Sequence, residues 1–300
     1  MSPPPRLTLR GRDFDWGART YVMGIINLTT DSFSGDGLIA GGGDAAIEAA
    51  VQQGVAMAAA GADLLDLGGE STRPGFEPVS PQAELARIVP AVERLLAETE
   101  LPISVDTTKA VVACAALGAG ASLINDVNGL RADPALGAVV AEHEATIVVM
   151  HNQRNWTPRE SQSDVIGDVC DGLEAGMAAA TTAGIPQERI IVDPGFGFGW
   201  RVEQNLELLR RLRELRELGR PILIGTSRKS SIGRVLDLPV EQRLEGTAAT
   251  VALAIGNGAD IVRVHDVREM SRVARMTDAV VRGAGPSGTL MDTMRDEGDD

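Results

Sequence analysis

Asp106, Asn125 and Asp193 each stand at the end of a short apolar run, in SVD, LIND and IVD. Two carboxylates and a carboxamide on rigid backbone offer several hydrogen-bond acceptors and one amide donor, which suits a flat heterocycle with neighbouring N–H and amino groups. Lys229, Arg263 and His265 follow two further runs and put positive charge into a chain whose net charge is −14. A ligand bearing phosphate or carboxylate is expected there. Asn27, Glu70-Ser71-Thr72-Arg73, His151 and Arg228 with Ser230 complete a set of polar residues that recur at one kind of place. Any one of them is explained about equally well as a helix N-cap.

The elements that must position them alternate along nearly the whole chain. Runs rich in Val, Ile and Leu occupy 21–26, 63–67, 102–105, 122–124, 146–150, 190–192, 221–224 and 261–264. They lack polar alternation, as strands buried on both faces of a parallel sheet do. Between them apolar residues recur at helical spacing, for example Ile47, Val51, Val55 and Ala58, or Leu206, Leu209, Leu212 and Leu215. Three joints share a Gly-Ala step into the next strand, at Gly61-Ala62-Asp63, Gly120-Ala121-Ser122 and Gly258-Ala259-Asp260. Glycine there suits a left-handed helix C-cap. Eight βα units predict a single α/β domain, a (β/α)8 TIM barrel over residues 1–283, in preference to an open doubly wound sheet. LTLRGRDFDWGARTY before the first strand predicts a hairpin across the barrel's N-terminal mouth, with turns near Gly11 and Gly17. Residues 284–300 lose apolar periodicity and end acidic, as a disordered tail would. In a barrel all the polar strand ends face one mouth, where barrel enzymes build their active sites, and this joint placement outweighs capping.

Other chemistries are not expected. The glycine stretch 195–199 lacks GxGxxG spacing, and no P-loop occurs. It reads as a tight loop that places Phe198 beside a ligand, while the glycines at 35–43, with the loop after the second strand, could close over substrate. His143, His151 and His265 form no HExxH, and no GxSxG elbow is present, so zinc hydrolysis and acyl transfer are not expected. The acidic balance opposes nucleic-acid binding and adsorption to anionic membranes. Cys114 and Cys170 make no CxxC pair, the N-terminus lacks the build of a signal peptide, and the longest apolar runs fall short of a membrane span, so a cytoplasmic protein is expected.

These residues lie in blocks that resemble the dihydropteroate synthase family: MGIINLTTDSFSGDG (23–37), DLGGESTRPG (66–75), SVDT (104–107), INDVNG (124–129), VVMH (148–151), DPGFGFG (193–199), SRKSSIG (227–233) and RVHDV (263–267). The blocks run in family order from first strand to last, and ESTRPG and DPGFGFG are highly specific. The resemblance implies condensation of 6-hydroxymethyl-7,8-dihydropterin pyrophosphate with p-aminobenzoate, giving 7,8-dihydropteroate and pyrophosphate, in folate synthesis. It implies a pterin site of Asp106, Asn125, Met150, Asp193, Lys229 and Arg263. Asn27, Thr72, Arg263 and His265 would bind the pyrophosphate, with Mg2+ on Asn27. Ser71, Thr72, Arg73, Pro74, Phe198, Lys229 and Ser230 would form the p-aminobenzoate site, the target of sulfonamides. Asp106, Lys229, Arg263 and His265 would be the catalytic group, and a homodimer is implied, with helix faces in 244–256 and 267–281 as candidate interfaces.

The chain departs from the family pattern at Thr30, where proline is usual, at 151–154, where His-Asn-Gln-Arg replaces the common HMQG, and at Trp200, where lysine is usual. Trp200 is expected to alter the approach on the aminobenzoate side, with Arg201 next to it as a replacement charge. Two other functions share the acceptor-rich pocket: a non-catalytic pterin-binding paralogue, and a methyltransferase domain passing a folate methyl group to a corrinoid protein. The SRKS and RVHDV blocks oppose the second, because a methyl donor brings no pyrophosphate to clamp.

Overall fold

A computed structural model describes residues 4–28, 42–70, 78–155 and 164–283. Eight parallel strands form the barrel: β3 (Tyr21–Asn27), β4 (Leu64–Gly68), β5 (Ile103–Asp106), β6 (Leu123–Asp126), β7 (Thr146–Met150), β8 (Ile190–Asp193), β9 (Leu223–Ile224) and β10 (Ile261–Val264). They pair in the order β8-β7-β6-β5-β4-β3-β10-β9. A bridge between Val192 and Ile222, with the Val192 N–H donating to Pro221 O at 3.0 Å, joins the last strand to β8 and closes the ring. The helices α1 (Gly42–Ala59), α2 (Pro81–Glu98), α3 (Ala110–Gly118), α4 (Leu136–Glu142), α5 (Val165–Thr182), α6 (Val202–Arg210), α7 (Ser230–Leu236), α8 (Leu244–Gly256) and α9 (Val267–Arg282) lie between the strands. None of the described helices is long and apolar enough to cross a membrane. The expected strands are all present, and the expected tail falls outside the described residues.

Two apolar clusters divide the core according to the pleat, in which successive side chains point to opposite faces. Val22, Leu65, Ile147, Val149, Val192 and Val262 belong to the larger one, between strands and helices. Met23, Leu64, Leu123, Val148, Ile191, Leu223 and Ile261 form the other, inside the barrel. The inner cluster also contains Leu7, Leu9, Phe14 and Trp16. The first three come from the expected hairpin, β1 (Leu7–Leu9) and β2 (Arg12–Phe14), paired antiparallel, and Trp16 follows it. Its two-residue turn has positive φ at both Arg10 and Gly11, the geometry that matches strand twist. The Arg10 guanidinium donates to the carbonyls of Leu96, Thr99 and Leu101 where α2 ends, which fixes the plug against the barrel wall.

The Gly-Ala joints behave as one device. Gly61, Gly120 and Gly258 take φ of 99°, 107° and 97°, and the alanine N–H that follows each returns to a helix carbonyl, Met57, Ala116 and Ala254 respectively. In two of the joints the next residue is aspartate, and its carboxylate does further work. Asp63 accepts the Val22 N–H and pairs with Arg19, and Asp260 accepts the Ile222 N–H and pairs with Arg216 at 2.9 Å. Each side chain therefore ties its own strand to the start of a neighbour. Asp260 is fully buried, so Asp260→Ala should destabilise the protein by about 3 kcal/mol in urea unfolding, since it strands Arg216 and an inner N–H. Asp13→Ala, at the exposed Arg6 pair, should cost under about 1 kcal/mol.

Candidate active site

The inner face of the barrel changes character two residues above the apolar level. Asp66 follows Leu64, Asn125 follows Leu123, Met150 follows Val148, Asp193 follows Ile191 and Arg263 follows Ile261, each by one pleat repeat. The strand registers then set these residues side by side. Asn27 pairs with Gly68, Gly68 with Asp106, Asp106 with Asn125, and Met150 with Asp193. Arg263 leaves β10 opposite Met23 and crosses the opening, donating Nε to Asp66 at 2.6 Å and Nη2 to Asp106 at 3.1 Å.

Asp66 is fully buried and was not singled out from the sequence. One oxygen accepts the Ser104 hydroxyl at 2.5 Å, and the other accepts Asn125 Nδ2 at 3.0 Å as well as Arg263. Its signal was a charged residue in the middle of the apolar run LLDLG, where nothing but a partnered carboxylate is tolerated. Asn125 Oδ1 is buried and has no hydrogen-bond partner among the described residues. One oxygen of Asp193 accepts the Gly195 N–H at 2.7 Å.

Burial dominates the electrostatics. It pushes the Asp106 carboxyl up to about 7, against the pull of Arg263, and the Asp193 carboxyl up to about 6, against Gly195 N–H, Lys229 and Arg263. Burial first and Arg263 next bring the Lys229 ammonium down to about 8, while Asp193 opposes them. Its Nζ sits 4.3 Å from the centre of the Phe198 ring, and Arg154 lies over that ring at 5.1 Å. Gly197 makes this approach possible: its φ is +83°, and a Cβ there would come within 2.9 Å of Lys229 Cδ. His265 is oriented by Ser227. The Ser227 oxygen accepts the His265 backbone N–H at 3.2 Å and lies 2.9 Å from Nδ1, which fixes the orientation of the ring. Ser230 is exposed at the start of α7.

Other strand-end residues do not join this group. His151 is buried beneath Gly172 and is held neutral at about 4 by burial; its Nε2 lies 2.9 Å from Gln153 Oε1. Trp200 turns into the main core with its ring 5.6 Å from that of His151. The expectation that Trp200 alters the approach to the site is thus replaced by a packing role, and Arg154 joins Lys229 as a second cation beside Phe198. Arg228 is committed to Asp266, joining the loops after β9 and β10. Glu70 accepts the Val79 N–H at 2.8 Å and Lys109 at 2.6 Å, and Lys109 also reaches buried Glu84 at 2.5 Å, so the base of the second loop is pinned to α2 and α3. Ser71, Thr72, Arg73 and Pro74 in that loop, and Thr30 and residues 35–41 in the first, lie outside the described residues. Among the described residues no group of His, Cys, Asp and Glu is arranged to hold a metal ion on its own.

The arrangement can clasp a flat ring by its donor edge, with cations at the rim for an anionic substituent. The comparisons agree with that geometry. Residues 23–265 match the family model described as pterin binding enzyme. A dihydropteroate synthase of Synechocystis is 46% identical over 285 residues, covering 93% of this chain and 96% of that protein. The Xanthomonas albilineans dihydropteroate synthase solved with 4-aminobenzoic acid superposes with a TM-score of 0.84 at 44% identity, covering 92% of this chain and 98% of that one. The same enzyme solved with 7,8-dihydropteroate gives 0.81 at 42% identity, with the same coverage. By descent and by fold, the chain belongs to the dihydropteroate synthase family.

Proposed function

We propose that this chain condenses 6-hydroxymethyl-7,8-dihydropterin pyrophosphate with p-aminobenzoate, releasing 7,8-dihydropteroate and pyrophosphate. The observation that carries the reading is the row of acceptors Asp106, Asn125 and Asp193 at the strand ends, with the buried Asn125 Oδ1 unpartnered among the described residues. A pterin presents neighbouring donors on its amino-pyrimidine edge, and Met150 and the Arg263 guanidinium flank the position such a ring would take. Lys229, which lies within electrostatic reach of Asp193, is assigned to the same pterin site.

The reaction needs no nucleophilic side chain. The bond from the methylene carbon to the pyrophosphate oxygen breaks with its electron pair leaving on oxygen. The resonance-stabilised pterin cation is then attacked by the arylamine nitrogen, which afterwards loses a proton. Three carboxyl groups, Asp66, Asp106 and Asp193, stand with Arg263 and Lys229 in this mouth, and the carboxylates that are ionised there stabilise positive charge on the pterin. We assign Arg263, His265, Thr72 and Asn27 to the departing pyrophosphate. A single neutral amide oxygen at Asn27 fits Mg2+, which keeps several waters and takes its remaining ligands from phosphate. When bound, the ion would neutralise charge on the leaving group. Phe198 with Lys229 and Ser230, together with Ser71, Thr72, Arg73 and Pro74, is assigned to p-aminobenzoate. Residues 1–283 would act as one catalytic unit.

Exposed apolar side chains on α8 and α9, among them Leu253, Met276 at 66% and Val280 at 71% exposure, support a homodimer across these helices, which sedimentation velocity should read as twice the chain's mass. A cytoplasmic location is part of the same proposal.

Purified protein given the pterin pyrophosphate, p-aminobenzoate and Mg2+ should release pyrophosphate in step with dihydropteroate on chromatography. Pterin binding without either product would contradict the synthase reading and favour a binding-only paralogue. Asp193→Ala should abolish pterin binding in a fluorescence titration. Because the acceptor must be ionised and its carboxyl titrates near 6, wild-type affinity should fall as pH drops from about 7 to about 5, well above the range of an exposed aspartate. A flat profile over that interval would rule out the ionised Asp193 as a ligand.

A further inference from the structure

The orientation of Asn125 is not its own choice. A carboxylate only accepts hydrogen bonds, so the end of the Asn125 amide that lies 3.0 Å from Asp66 must be the NH2 group. With that end committed, Oδ1 is left as the amide's acceptor, buried and unpartnered among the described residues. Asp66 in turn is locked: the Ser104 hydroxyl holds one oxygen at 2.5 Å, and Arg263 Nε shares the other at 2.6 Å. Rotating the carboxylate would break all of these bonds at a fully buried residue, where no water could replace them.

We infer that Asp66 is a specificity-determining positioning residue: it fixes the hydrogen-bond polarity of the pocket so that Asn125 offers an acceptor, selecting heterocycles that present an amino group over those carrying a carbonyl in its place. The inference rests on the reading of this mouth as a pterin site. An asparagine at 66 has nearly the same shape, but its amide can present either oxygen or nitrogen to Asn125. Asn125 could then turn its own NH2 toward the ligand, and a ring carbonyl that was repelled becomes acceptable. Arg263 would keep Asp106, so the upper layer would not lose both anchors at once.

The test compares Asp66→Asn with wild type in fluorescence titrations with pterin and with its 2-oxo analogue, pteridine-2,4-dione, alongside thermal melting. Wild type should prefer pterin, and the variant should narrow that preference by about tenfold, the scale of one buried polar mismatch. General loosening would weaken both ligands alike and leave the ratio unchanged, so an unchanged ratio in a folded variant overturns the inference. Should the variant fail to fold, wild type decides. The side-chain amide protons of Asn125, assigned by their loss in Asn125→Ser, should exchange slowly in ligand-free protein, and exchange at the rate of a free carboxamide overturns the assignment. Wild type that binds neither pteridine overturns the pterin reading and this inference with it. Selective wild-type binding with the same ratio in Asp66→Asn overturns only the role of Asp66.

Discussion

Arg263, stretched between Asp66 and Asp106, is the interaction on which the polar half of the barrel rests. Carboxylates on the inner face of a closed parallel barrel have no water to turn to, and ionising them there unpaired would cost several kcal/mol each. One guanidinium with a forked set of donors can satisfy two of them from a third strand, which a point-charge ammonium could not do with the same geometry. The pair has no counterpart lower down, because there the pleat delivers only Met23, Leu64, Leu123, Val148, Ile191, Leu223 and Ile261, sealed from below by the hairpin. The barrel is thus an apolar plug carrying a charged floor, and the strands that build one necessarily build the other.

That construction explains why the site sits on strands and the adjustable parts on loops. The acceptors that would read a heterocycle come from β5, β6 and β8, whose registers hold them in place before any ligand arrives. Rigid acceptors cost nothing to organise at the moment of reaction, which is where electrostatic stabilisation gains most. Lys229, His265 and Phe198 stand just above, on turns fixed by Gly197 and by the Ser227 hydroxyl. Glu70 is held at the end of the second barrel strand by Lys109, which also pairs with Glu84 of α2.

The barrel was legible in the sequence because each unit repeats the same local grammar: an apolar run, a helix with one apolar face, and a glycine joint. The rim residues were legible because Asp106, Asn125, Asp193 and Arg263 stand where an apolar strand stops. Asp66 was not, although it lies in the same layer, because it falls inside a run and its purpose depends on Ser104, Asn125 and Arg263, which are up to 197 positions away in the chain. His151 and Trp200 misled in the opposite direction. Both look like mouth residues by position, yet one strand residue's difference in pleat parity sends His151 outward, where it packs on Trp200 beneath α5.

The measurement that bears most directly on this account is a high-resolution crystal structure with a dihydropterin bound. The account predicts the ring edge-on to Asn125 Oδ1 and Asp193, with the Asn125 NH2 still on Asp66 and the Arg263 bridge to Asp66 and Asp106 essentially unmoved. A ring bound away from this acceptor row, or one that is reached only after Asn125 turns over and Arg263 leaves its carboxylates, would contradict it.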